Sequence, residues 1–271
     1  MTILSEIFAH KRAEVKAQKK RVPLIELMRQ IETARPPLDS VAALKARPCP
    51  ALIAEVKKGS PSKGVLIDDF DPIRLAEIYA ANGAAAISVL TDEKYFGGSL
   101  DYLRQIAALN LGLPLLRKEF ICDPYQIYEA RAAGADAVLL IVAELSDHEV
   151  ITFQSRIRKL GMAALVEVHT RAELTRAVNA GATLIGINNR DLRDFTVSLE
   201  TTRALRPLLS GHITVVAESG ISFPQDFRGL NVDAVLVGEA LVRAEDVGAK
   251  VRELSQTSND GGRLRRLTCV V

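Results

Sequence analysis

Six short apolar runs in this sequence end on groups that can move protons, bind anions or hold an aromatic ring. Glu55 and Lys57 close the first, and Lys118 and Phe120 another. Then come Glu167, Asn188 with Asn189 and Arg190, Glu218 with Ser219 and Gly220, and Gly238 with Glu239. In an extended chain, residues two apart share a face. Glu55 therefore pairs with Lys57, and Lys118 with Phe120. Two lysines and several carboxylates in one low-dielectric mouth shift one another's pKa and can act as acids and bases near neutrality. Glu119 has the opposite parity and turns away from that face. His169 reads as a loop or capping histidine, Asp92 as a loop residue and Cys122 as structural.

A second signal is for phosphate. The segments ESGIS (218–222) and VGEALV (237–242) follow two late runs, and KKGSPSKG (57–64) follows the first. Glycine lets a backbone approach an anion closely, and N–H groups at a helix start bind it. Lys58, Ser60 and Ser62 add donors to the first segment. Together these segments favour a phosphorylated substrate.

The elements that must carry these groups repeat. The runs are ALIAEVK (51–57), AAISVLTD (85–92), PLLRKEF (114–120), AVLLIVA (137–143), AALVEVH (163–169), LIGINNR (184–190), ITVVAES (213–219) and AVLVGEA (234–240). Near-continuous apolar character suits parallel strands covered by helices. Helical patterns separate them, opening on Asp71-Pro72, Asp123-Pro124, Ser146 with Glu149, and Thr170 with Glu173. Eight β-α units close into a (β/α)8 barrel, whose active site lies at the C-terminal ends of the strands. A doubly wound sheet would want a G-x-G-x-x-G turn after the first strand, and none stands there.

Residues 1–50 precede the barrel pattern, which fills 51–255; the 256–271 tail lacks a helical period and reads as flexible. Residues 3–21 form an amphipathic helix, a second begins at Pro23, and 40–48 make a short third turn. Lys11, Arg12, Lys16, Lys19, Lys20 and Arg21 read as the solvated side of the first helix.

Composition excludes several functions. The net charge of +2 over 271 residues, the absence of Trp and the 5% aromatic content argue against nucleic acid and membrane surfaces. Cys49, Cys122 and Cys269 form no disulfide framework, and His10, His148, His169 and His212 have no metal-ligand spacing. There is no signal-peptide core and no membrane-length apolar run, so a reducing cytoplasm is the expected setting.

Eight pieces carry a family resemblance. IAEVKKGSPSKG (53–64), LTDEKYFGGSL (90–100), LLRKEFICDPYQI (115–127), LLIVAEL (139–145), LVEVHT (165–170), IGINNRDL (185–192), VAESGI (216–221) and LVGEALV (236–242) stand in order at the run ends. In this order they resemble the indole-3-glycerol-phosphate synthase family of tryptophan biosynthesis, from about residue 3 to residue 255. The resemblance implies an N-terminal helical extension over the C-terminal face of the barrel. It also implies ring closure, decarboxylation and dehydration of 1-(2-carboxyphenylamino)-1-deoxyribulose 5-phosphate, with no cofactor and no metal. Lys118 matches the general acid for ring closure, and Lys57, paired with Glu55, a second lysine. Glu167 matches the acid/base carboxylate of dehydration, and Asn188 and Glu218 match orienting groups. Arg190 matches the group that meets the substrate carboxylate, and Phe96 and Phe120 match walls for its ring. Ser60, Ser219, Gly220, Gly238 and Glu239 match the phosphate site. Ala240 departs from the pattern, which often has a hydroxyl residue there. A monomer or weak homo-oligomer, open to association with other tryptophan-pathway enzymes, is expected. The alternatives are a silent phosphosugar-binding barrel and phosphoribosylanthranilate isomerase, whose early catalytic cysteine has no match here.

Overall fold

Each apolar run pairs with the next, and the last returns to the first. The computed structural model of the chain describes residues 2–48, 50–61, 63–191 and 196–255. Cys49, Ser62, Leu192 and the 256–271 tail with Cys269 lie outside the described residues. The strands are β1 (Ala51–Val56), β2 (Ala86–Leu90), β3 (Leu115–Lys118), β4 (Ala137–Ile141), β5 (Ala163–Val168), β6 (Leu184–Asn188), β7 (Thr214–Glu218) and β8 (Ala234–Val237). They form a closed barrel of parallel neighbours, with β8 paired to β1. This is the expected (β/α)8 architecture. Glu55, Lys118, Glu167, Asn188 and Glu218 lie at or next to the last residues of their strands, and Lys57, Phe120, Arg190 and Gly238 follow just beyond the ladder. A two-residue hairpin, Gly59–Ser60 with Gly64–Val65, stands above β1.

The helix starts are chemically set. Asp71 accepts from the backbone N–H groups of Ile73 and Arg74, with Pro72 at the first helical position. Ser146 and Glu149 form a reciprocal capping box. Between strands and helices lies one continuous apolar core.

The N-terminal segment reaches both ends of the barrel. It holds α1 (Ile3–Arg21), α2 (Leu24–Thr33) and α3 (Ser40–Lys45). α1 buries Leu4, Ile7 and Phe8 in the barrel's core, with Phe8 against Phe120, while Val15 packs with Leu27 and Tyr125. Lys11 does not belong to its solvated side as expected: the side chain is only 1% exposed. α2 runs along the helix Pro124–Ala132, where Tyr125 Oη donates to the Val22 carbonyl at 2.8 Å. α3 closes the opposite end. There Ser40 and Leu44 join Ile53, Ala86, Leu116 and Leu165 around a void of about 20 Å³. Arg35 holds this end through Asp136, with the two charged groups 2.7 Å apart.

Candidate active site

Residue parity builds the site. Interior positions of β1 carry Ile53 and Glu55, and the same face continues to Lys57. Interior positions of β3 carry Leu116 and Lys118, of β5 Leu165 and Glu167, and of β6 Gly186 and Asn188. Ile53, Leu116 and Leu165 fill the core, and the upper members face the mouth. Lys118 Nζ lies 3.1 Å from Glu218 Oε2 and 3.8 Å from Glu55 Oε2. Lys57 Nζ lies 3.7 Å from the other Glu55 oxygen. Lys57 also sits over the Phe96 ring, 5.6 Å from its centroid.

The two lysines differ electrically. Burial lowers the pKa of both ammonium groups. At Lys118 the Glu218, Glu55 and Glu167 carboxylates outweigh burial and hold it well above the ordinary lysine value. At Lys57 burial wins over Glu55, and the Lys118 and Arg190 charges lower it further. Burial pushes Glu218 up to about 7; Lys118 opposes this and Glu167 adds to it.

Two glycines make room for these carboxylates. A Cβ on Gly186 would collide with Glu218 Oε1, and one on Gly238 would come within 2.5 Å of Glu55 Oε1. The absence of a side chain on β6 and after β8 is therefore part of the charge cluster.

Aromatic rings form one wall. Phe96 and Phe120 stand 5.8 Å apart, and Phe8 of α1 meets Phe120 edge-on at 5.8 Å. One helical turn from Phe8, Lys11 is clamped. Its Nζ lies 2.9 Å from Asp92 Oδ2 and 3.2 Å from Glu119 Oε1. Glu119 also accepts from Thr91 Oγ1 at 2.7 Å and from the Phe120 N–H at 2.9 Å. Burial disfavours both charges, yet Glu119 and Asp92 hold Lys11 above its ordinary value. Lys11 and Arg117 pull Glu119 below its own.

Polar loops frame the cluster. Asn188 Oδ1 accepts from the Arg190 N–H at 3.0 Å, which fixes the turn after β6. Asn189 points the other way and is structural. It donates to the carbonyls of Glu218 and Ser219 at 3.0 and 3.1 Å, and its Oδ1 accepts from the Thr202 hydroxyl at 2.8 Å. These bonds hold Ser219 at φ 65°, a left-handed conformation costly for a non-glycine residue. Glu239 pairs with Lys63 at 2.6 Å, joining the loops after β1 and β8. Ser60, Ser219 and Gly220 stand in the surrounding loops rather than in the charged cluster.

The family model for indole-3-glycerol phosphate synthase matches residues 4–254. The chain belongs to the indole-3-glycerol phosphate synthase family. An indole-3-glycerol phosphate synthase of Roseiflexus castenholzii is 56% identical, with 97% of this chain and 99% of the relative covered. One from Dehalococcoides mccartyi strain CBDB1 is 51% identical, covering 93% and 99%. The synthase reaction, a decarboxylating lyase step of tryptophan biosynthesis, is thus the activity of this barrel. Solved structures show the fold alone. A thiamine phosphate pyrophosphorylase from Pyrococcus furiosus has a TM-score of 0.57 at 19% identity, covering 76% of this chain and 93% of its own. KGPDC from Streptococcus mutans has a TM-score of 0.58 at 14% identity, covering 76% and 95%.

Sequence reasoning missed the roles of four residues around this synthase site. Lys63 and Lys11 are basic residues whose partners are distant in the chain. Gly186 sits unmarked inside an apolar run. Asn189 had a signal: adjacent residues face opposite ways, so only one of an Asn-Asn pair can point into the mouth. His169 is misread as merely a loop or capping group. It does cap, its N–H donating to Glu173 at 2.7 Å, but its ring also faces Glu167.

Proposed function

We propose that Lys118, Lys57 and Glu167 divide the proton transfers of the synthase reaction, with Glu55, Asn188 and Glu218 orienting them. The observation that carries this reading is one lysine flanked by Glu218 and Glu55 inside the mouth, beside the Phe96–Phe120 wall. The substrate's anthranilate ring lies against that wall, and Arg190 meets its carboxylate with a planar fork. Ser60, Ser219, Gly220, Gly238 and Glu239 hold the phosphate at the other end, the last through its backbone. Binding both ends folds the chain so that the ring carbon meets the ketone.

Lys118, kept as ammonium, gives a proton to the ketone oxygen as the carbon–carbon bond forms. Carbon dioxide then leaves and the ring regains aromaticity. Lys57, whose proton is easier to release, protonates the resulting hydroxyl so that it departs as water. Glu167 takes the proton lost from ring carbon or nitrogen. Two protons reach the oxygen and one is taken back; solvent supplies the balance that loss of a carboxylate requires.

Residues 1–50 belong to the same domain as the barrel at 51–255, with 256–271 as a tail. The enzyme works in the cytoplasm as a monomer or weak homo-oligomer, open to association with other enzymes of its pathway. No helix among the described residues is long and apolar enough to cross a membrane. The test is conversion of the carboxyphenylamino-ribulose phosphate to a fluorescent indole product by the purified protein. Lys118→Ala and Glu167→Gln each cost roughly 10²–10⁴ in rate. Near-normal turnover in both overturns the assignment.

A further inference from the structure

The end of β5 opens a chain of three titratable groups, of which the proton transfers above use only Glu167. His169 continues the interior parity of Leu165 and Glu167, so its ring lies on the mouth face. Its Nε2 stands 3.7 Å from Glu167 Oε1, and its Nδ1 stands 3.5 Å from Glu173 Oε2. Glu167 Oε1 and His169 Nε2 are both buried, and neither has a hydrogen-bond partner among the described residues. Two unsatisfied buried polar atoms facing each other at this distance carry a cost. A small displacement of the ring or the carboxylate would join them.

We propose that His169 is a positioning residue for Glu167: its Nε2–H holds the Glu167 carboxylate, and Glu173 holds the imidazole from behind. The inference rests on the reading of Glu167 as the acid/base group of dehydration. The logic is that of a carboxylate–imidazole pair in which a second carboxylate fixes ring orientation and favours its charged form. The charged groups that act most strongly on the ring are acidic: Glu167 on its own strand, Glu173 on the following helix and Glu218 on β7. Burial works against the imidazolium. The Glu173 hydrogen bond and these carboxylates outweigh it and raise the histidine pKa. Glu173 is itself anchored by the His169 N–H at 2.7 Å and the Thr170 hydroxyl at 3.0 Å. The helix start thereby fixes the carboxylate, which fixes the ring.

The experiment is the pH profile of kcat and KM for wild type, His169→Phe, His169→Gln, Glu167→Gln and the double variant His169→Phe/Glu167→Gln. His169→Phe keeps a planar ring and removes both nitrogens. It lowers kcat about tenfold with KM within about twofold. It also moves the acid limb of kcat to higher pH by about half a unit, since a cation favouring the carboxylate is gone. His169→Gln restores a neutral donor, so it recovers much of kcat but keeps the moved limb. The double variant is no slower than Glu167→Gln alone. Unchanged kcat and acid limb in both His169 variants, with Glu167→Gln inactive, overturn the proposal. So does a further tenfold loss in the double variant. If Glu167→Gln turns over normally, the role of Glu167 fails and the positioning role falls with it, a result distinct from the others. His169→Gln serves alone if His169→Phe does not fold.

Discussion

Lys118 and Glu218 meet across the width of the barrel, on the third and seventh of its eight strands, with Nζ 3.1 Å from Oε2. An ion pair that spans opposite walls sets the separation at which a substrate must enter. It also leaves Glu218 with its pKa raised from 4.5 to about 7, because burial and Glu167 outweigh the lysine.

A carboxyl group with a raised folded-state pKa binds more protons folded than unfolded between those two values. Its contribution is fully favourable below about pH 4.5 and is lost as pH rises through about 7. Glu218→Gln removes this dependence. Relative to wild type, the variant gains stability as pH is raised from 5 to 8, while its turnover falls. Denaturant unfolding at the two pH values checks the sign.

Gly186→Ala places a methyl group where Glu218 Oε1 now lies. The carboxylate must move or the strand must shift, and overpacking of this kind costs about 1–3 kcal/mol. Activity falls more than stability, because the displaced group is the partner of Lys118. Gly186→Ala combined with Glu218→Gln adds less than the sum of the two single losses in rate.

Lys11→Met keeps the volume of the clamp and removes its cation. Asp92 and Glu119 then face each other buried, a loss of about 3–5 kcal/mol. Converting them as well, with Asp92→Asn and Glu119→Gln, restores most of that stability in denaturant titrations. Because the clamp is buried, added salt weakens the wild-type contact little.

The two ends of the N-terminal segment are separable. Leu44→Ala opens the barrel floor and costs about 2–5 kcal/mol, with KM unchanged. Phe8→Ala withdraws support from Phe120 and raises KM for the aromatic substrate as well as lowering stability. Parallel kinetics and unfolding curves distinguish them. A truncation through α3 therefore removes both the cover and the floor, not the cover alone.

Period-two arithmetic accounts for what the chain discloses before folding. It places Glu55 with Lys57 and Lys118 with Phe120, and it turns Glu119 outward. The eight apolar runs and their Asp-Pro and Ser-x-x-Glu helix starts are equally local signals. What stays hidden depends on contacts between distant segments. Lys11 looks like the other basic residues of its helix, and only Asp92 and Glu119 make it a buried cation. Ser40 and Leu44 carry no local mark of their place under the barrel. His169 was visible in principle, since it follows Glu167 by two, but its tie to Glu173 was not.

The Lys11 clamp also has a consequence in time. Lys11 leaves the ribosome well before Asp92 and Glu119, its two buried partners. At roughly 5–20 residues per second, that interval is about 5–20 s. Until then the apolar side of α1, with Phe8 and Ile7, has no wall to lie on. The helix is made before all the strands, yet it can close its clamp only when the third strand has emerged. A nascent chain halted short of Glu119 would leave it open to chaperones, and one carried past the eighth strand would not.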